Sequence, residues 1–319
     1  MSAPRVVVFA YSDIGHASLA LLLERGARVA AVYTHTDTPG EHLWFPSVAK
    51  LAAEHDIPVQ LDADLRQPRE LSDFTALAPD LILSFYYREI IPQPAIDVAK
   101  LGAFNMHGSL LPKYRGRAPV NWAVALGEKE TGATLHVMTK LADAGDIVDQ
   151  ESVPIGADDT AFDVHHRVRD AAIRVLDRQL PALLAGNAPH RPQDNSAATK
   201  FGRRRAEDGE IDWSRPAADL HNLVRAVAYP YPGAFAKVNG ATLHIWRTAR
   251  ADAPARESRA ARAAPGTIRT DGTRAFAVAG DGKWLEILRA QVDDGPALEG
   301  AALAERLTQL TTSSGTKPA

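Results

Sequence analysis

Three side chains of this chain have the types and spacing to steady a negative oxygen and carry a proton. The run Ala103-Phe104-Asn105-Met106-His107 reads as the end of an apolar strand, and residues i and i+2 of a strand project to the same face. Asn105 and His107 are therefore offered side by side at the strand's carboxyl end. Further along, Asp143-Ala144-Gly145 places a carboxylate on a small-residue turn that could reach the same spot. An amide N–H for a developing oxyanion, an imidazole to carry a proton and a carboxylate to orient it are what acyl transfer to an amine requires. Each residue also has a plainer reading. Asn105 could tie down a turn, Asp143 could cap a helix or form a turn, and a lone His at a strand end is most often structural. The stiff Leu110-Leu111-Pro112 turn directly after His107 makes the combination specific and favours chemistry.

Several elements must position these groups. Residues 6–10, 29–33, 81–85 and 103–106 are short apolar runs, and residues 17–25 and 47–55 have helical spacing, the second opened by Ser47 as a cap. Buried strands separated by helices predict an α/β fold with a doubly wound, mainly parallel sheet. Ligands of such sheets sit beyond the strands' carboxyl ends, where Tyr11, Tyr86 and His107 fall. A long helical pattern covers 161–184, and 186–200 has the composition of a linker. After Gly209 come a short helix at 217–228 and short strands at 234–238, 242–247, 266–269, 275–279 and 284–290, which predict a small β-barrel. The expected division is a catalytic domain at 1–200, a barrel domain at 201–310 with a flexible loop at 250–264, and a disordered tail at 311–319.

Bulk composition narrows the field. The chain has 319 residues, no cysteine and a formal net charge of −3. It is long enough for two domains, cannot form disulfides or thiolate metal sites, and lacks a global attraction for polyanions. No apolar run approaches the ~20 residues of a membrane span, and no signal peptide is visible, so a cytoplasmic location is expected. The first strand runs into Tyr11-Ser12-Asp13-Ile14-Gly15-His16, which is not a G-x-G-x-x-G fingerprint, so NAD is not expected. His165 and His166 are helix neighbours about 100° apart and cannot share one metal; no other spacing suggests one.

The run Asn105-x-His107-x-Ser109-Leu110-Leu111-Pro112-x-Tyr114-Arg115-Gly116, with Asp143-x-Gly145 beyond it, resembles the signature of folate-dependent formyltransferases. Within that family the likeness is strongest to the formyltransferase half of the bifunctional enzymes that make UDP-4-amino-4-deoxy-L-arabinose derivatives for lipid A modification and polymyxin resistance. Thr34-His35-Thr36-Asp37-x-Pro39-Gly40-Glu41, Ser84-Phe85-Tyr86-Tyr87-Arg88, Phe201-Gly202-Arg203-Arg204 and Val224-Arg225-Ala226-Val227-Ala228-x-Pro230-x-Pro232-Gly233 share it. The resemblance implies a Rossmann-like domain with an OB-like barrel, 10-formyltetrahydrofolate as co-substrate and a nucleotide-linked amino sugar as acceptor. It implies catalytic roles for Asn105, His107 and Asp143, and folate contacts at Glu89, Ile90, Ile91, Arg117, Thr139, Lys140, Leu141, Ala142 and Asp143. Arg203 and Arg204 could grip the sugar nucleotide's phosphates, against the plain reading of a solvated Arg cluster. A homo-oligomer is compatible with this reading, and the decarboxylating NAD-dependent half of the bifunctional relatives is not expected here.

Two alternatives remain open. Methionyl-tRNA formyltransferases share the core signature, but carry a basic insertion after the second strand where this chain has the acidic-to-neutral residues 34–42. A catalytically silent nucleotide-sugar or folate binder is the other; the intact Asn105, His107 and Asp143 set argues against it.

Overall fold

Apolar runs buried on both faces set the centre of the molecule. The computed structural model describes residues 3–37, 43–252, 254 and 263–312. Most of the expected loop at 250–264, the loop residues 38–42 and the tail from 313 onward lie outside them. The chain forms two compact units, each discontinuous in sequence: 1–119 with 130–154 and 165–203, and 120–129 with 155–164 and 204–319.

In the first unit, β1 (Arg5–Ala10), β2 (Arg28–Thr34), β3 (Val59–Leu61), β4 (Leu81–Phe85) and β5 (Ala103–His107) are parallel. A two-residue strand, β6 (Arg115–Gly116), lies off this sheet. The antiparallel pair β7 (Glu130–Val137) and β8 (Ile147–Pro154) completes it, in the order β3-β2-β1-β4-β5-β7-β8. The sheet is thus mixed, mainly parallel as expected, with an antiparallel edge. Chain order reverses between β1 and β4, which opens a crevice at the carboxyl ends. The connecting helices are α1 (Ser12–Glu24), α2 (Val48–Glu54), α3 (Pro68–Ala76) and the short α4 (Gln93–Ile96). Ser47 caps α2 by accepting a hydrogen bond from the Lys50 amide at 3.3 Å.

The α1 helix begins five residues before the expected start at Ala17. Its first turn lacks apolar periodicity, yet Asp13, Ile14 and Gly15 are buried there. A side chain at Gly15 would press on Ala10 and the Phe85 carbonyl, so close packing on the strand ends, which local pattern does not reveal, decides the boundary. A two-residue strand, β9 (Lys200–Phe201), pairs in parallel with β6. The stretch 186–200, expected as a linker, is therefore built into the first unit.

The second unit contains α5 (Pro119–Ala125) from Val120 onward, the start of α6 (Ala161–Ala185), α7 (Ala217–Val227) and an antiparallel sheet. From His165 onward α6 belongs to the first unit. The sheet holds β10 (Ala234–Val238), β11 (Ala241–Ala251), β12 (Ile268–Thr270), β13 (Ala275–Val278), β14 (Trp284–Val292) and β15 (Ala297–Glu299). Their order is β10-β11-β14-β13-β12, with β15 on β14, a small barrel-like domain. A helix not read from the sequence, α8 (Gly300–Thr312), follows. It takes in Thr311 and Thr312, which were expected in the tail, because Leu303, Leu307 and Leu310 bury one of its faces. Arg225 is buried, and donates to the carbonyls of Gly156 and Asp159 at 3.2 and 2.9 Å.

Aromatic packing under β1 and β2 anchors the first unit. Phe9 stacks on Tyr33 with centroids 4.7 Å apart, and Phe74 of α3, fully buried, packs against both rings. Phe74→Ala should therefore destabilise this unit by about 3–5 kcal/mol. Urea unfolding of both proteins checks this, and a cost below about 1 kcal/mol would contradict the packing described.

Candidate active site

The functional side chains meet at the carboxyl end of β5. Register places Asn105 opposite His136 of β7, and His107 opposite Thr134. Phe104 and Met106 fill the other face of the strand and are buried. Strand alternation thus delivers Asn105 and His107 to one side, as expected.

The third group arrives from the β7–β8 connection. Asp143 lies in the left-handed backbone region at φ 56°, which Asp tolerates better than most residues. Gly145 follows where any side chain would collide with the Val137 carbonyl oxygen. The Asp-x-Gly spacing is thus a physical requirement of this turn, and it brings the Asp143 carboxylate inward. Asp143 Oδ1 is 3.5 Å from His107 Nδ1 and 3.4 Å from His136 Nε2, and Oδ2 accepts from the Gly116 amide at 2.8 Å. Burial pushes the carboxyl up. His107, the bonded His136 and the Gly116 N–H outweigh that, and hold it well below the usual carboxylate range.

Both imidazoles are oriented by backbone carbonyls. His107 Nε2 donates to the Tyr114 carbonyl at 2.8 Å, and His136 Nδ1 donates to the Val137 carbonyl at 2.9 Å. The second nitrogen of each ring faces Asp143. Asn105 Nδ2 lies 3.1 Å from His136 Nε2. An amide NH₂ carries two donors, so an N–H is available to be presented outward from the strand end. His136 was not singled out in the sequence, where an isolated His in a strand gives no local signal. Its register opposite Asn105 is what reveals it.

The expected folate-contact residues lie on three loops of the same unit. Glu89 and Ile90 are exposed and Ile91 is buried. Residues 139–142 are exposed, with Thr139 Oγ1 donating to the Leu141 carbonyl at 2.9 Å. Ile90 and Leu141 are large apolar side chains left 75% and 71% exposed, surfaces that a flat fused-ring ligand would cover. Arg117 is exposed, and its amide donates to the Phe201 carbonyl at 3.1 Å. A cavity of about 270 Å³ adjoins Glu89, Ile90 and Ile91, lined also by His35, Asp62 and Tyr87. None of Asn105, His107 and Asp143 lines it, so it is a separate recess from the cluster they form. Arg203 is exposed in the first unit. Arg204, in the second, lies over the Trp122 ring at 4.6 Å and donates to the Asp208 carbonyl at 2.9 Å. Among the described residues, no three His, Cys, Asp or Glu side chains are grouped to hold a metal, and no helix is long and apolar enough to cross a membrane.

Comparison with known proteins agrees with this geometry. Residues 5–180 match the formyl transferase family model, and residues 204–308 match the model for the formyl transferase C-terminal domain. The chain belongs to the formyl transferase family. Its fold is similar to that of WlaRD, a sugar 3N-formyl transferase solved in the presence of dTDP and 5-N-formyl-THF. That match has a TM-score of 0.68 and 20% identity, over 93% of this chain and 100% of that one. The N-formyltransferase of Helicobacter canadensis, solved with folinic acid and dTDP-3-aminofucose, gives a TM-score of 0.70 and 20% identity over 90% and 99%. HypX from Aquifex aeolicus, in complex with tetrahydrofolic acid, gives 0.64 and 18% over 100% of this chain and 49% of that one.

Since the folded pKa of Asp143 lies below its unfolded value, its ionised form contributes stability above the ordinary carboxylate range, about pH 4, that is lost as pH falls through the folded value. Asp143→Asn should therefore be less stable than wild type at neutral pH, with the gap shrinking below about pH 4. Urea midpoints from pH 7 to pH 3 measure it. An unchanging gap would contradict the assigned electrostatics.

Proposed function

We propose that this formyltransferase moves a formyl group from 10-formyltetrahydrofolate to the amine of a nucleotide-linked amino sugar, with UDP-4-amino-4-deoxy-L-arabinose as the acceptor. The observation that carries the chemistry is the clustering of Asn105, His107, His136 and Asp143 at one strand end, with neighbours 3.1 to 3.5 Å apart. Asn105 presents an amide N–H to the formyl oxygen as that oxygen gains charge. Asp143, ionised, faces His107 Nδ1 at 3.5 Å and orients that ring. His107 manages the proton lost by the attacking amine and needed by the departing nitrogen. The 89–91 and 139–143 loops hold the donor, with Ile90 and Leu141 covering its rings. No metal or nicotinamide takes part in this scheme.

The acceptor assignment rests on the sequence resemblance, and is supported by fold neighbours solved with dTDP or a dTDP-amino sugar. The net charge of −3 also counts against a tRNA acceptor, because tRNA is gripped through many phosphates by cationic groups.

His107→Ala should cut turnover by about 10²-fold or more without unfolding the chain. Combined with Asp143→Ala, it should lose less than the product of the two single losses. Full activity in a folded His107→Ala protein would sink the mechanism. Initial rates with UDP-4-amino-4-deoxy-L-arabinose, dTDP-3-aminofucose and methionyl-tRNA at two salt concentrations test the acceptor. The UDP sugar should be preferred, with a weak salt dependence. Preference for methionyl-tRNA, with a rate falling steeply as salt rises, would overturn the acceptor and leave the His107 chemistry standing.

A further inference from the structure

The stretch following α6 crosses the site as a strap. Arg191 exchanges both backbone hydrogen bonds with Ile147 at 2.9 and 2.8 Å. Thr199 Oγ1 accepts from the Tyr114 amide at 2.8 Å, the Thr199 carbonyl accepts from the Arg115 amide at 2.9 Å, and Phe201 stacks on Tyr114 at 5.0 Å. The strap thereby fixes the backbone that supplies the Tyr114 carbonyl to His107 and the Gly116 amide to Asp143.

Gln193 lies midway along it. Its Nε2 donates to the carbonyls of both Asp143 and Gly145, at 2.9 and 2.7 Å. Its Oε1 accepts from Arg115 Nε and Nη2 at 3.2 and 2.7 Å. The amide has one possible orientation, since a guanidinium only donates and a carbonyl only accepts. All its hydrogen-bonding capacity toward the turn is used, and the turn it grips is the one holding Asp143 at φ 56°. Arg115, a candidate for anion binding by charge alone, is committed to this support, with Asn195 Oδ1 as a further acceptor at 2.8 Å.

We propose that Gln193 is a positioning residue for formyl transfer: it clamps the Asp143–Gly145 turn to Arg115 and so sets the distance from the Asp143 carboxylate to His107 and His136. This rests on Asp143 being the partner of His107 in the reaction. Gln193→Glu is the discriminating change. It has the same shape and keeps an acceptor for Arg115, but has no proton to donate, and turns a carboxylate oxygen toward two carbonyl oxygens.

The test uses the full chain with 10-formyltetrahydrofolate and UDP-4-amino-4-deoxy-L-arabinose, measuring kcat, both KM values and melting temperature for wild type, Gln193→Glu, Asp143→Asn and the double variant. Gln193→Glu should lower kcat by about 10²-fold, the scale of a displacement near 1 Å, with both KM values little changed. The double variant should lose no more than Asp143→Asn alone, because both act through one carboxylate. If Gln193→Glu does not fold, Gln193→Met, apolar and of similar length, takes its place in the cycle. Wild-type kcat at position 193 beside a damaged Asp143→Asn, or losses that multiply in the double variant, would overturn the proposal alone. Wild-type kcat in Asp143→Asn would overturn the mechanism it rests on, and the proposal with it.

Discussion

The burial of one ionised carboxylate organises the site. Removing an Asp from water costs several kcal/mol unless neighbouring groups compensate. Asp143 has an imidazole nitrogen of His107 and one of His136 facing Oδ1, and a backbone N–H on Oδ2. Those partners come from β5, from β7 and from β6, so no single element suffices. The loop between β7 and β8 must turn sharply to bring Asp143 in, which accounts for its positive φ and for the glycine two residues on. Loss of any one partner would leave the charge buried and under-compensated.

The same arrangement divides the chemical labour. Each imidazole has one nitrogen on a backbone carbonyl and the other toward the shared carboxylate. His136 also packs 3.1 Å from the Asn105 amide, so the two lie together before any substrate arrives. Preorganised donors of this kind are the largest contributors to acyl-transfer catalysis, because they need not reorganise as charge develops. A formyl carbon held over Asn105 and His107 would meet an oxyanion donor and a proton carrier set by the same strand.

Much of this was legible in the sequence, for local reasons. Strand periodicity put Asn105 and His107 on one face, and the Asp143-x-Gly145 turn has a steric cause that its residue types announce. The β1, β2, β4 and β5 strands are short, mainly apolar runs, and Ser47 marks the start of α2 by its own hydrogen bond. The helix start at Ser12, the β7–β8 edge and α8 were not legible. Their residues are polar, small or weakly periodic, and their state depends on what packs against them. Arg115 illustrates the same limit: nothing in its local sequence announces that it supports Gln193.

The sequence by itself determined which groups could do chemistry, because residue type and i, i+2 spacing are local facts that survive any fold with that strand. It also determined the family, through motifs spread over both matched regions. Tertiary structure alone decided that His136 faces Asn105, that Asp143 serves two imidazoles, and that a segment with the composition of a linker grips the Asp143–Gly145 turn. Residues 143 and 193 are fifty positions apart, and a hydrogen bond at that separation leaves no periodic trace in the chain. Register between strands and the meeting of distant loops are set by global packing, and only the folded molecule records them.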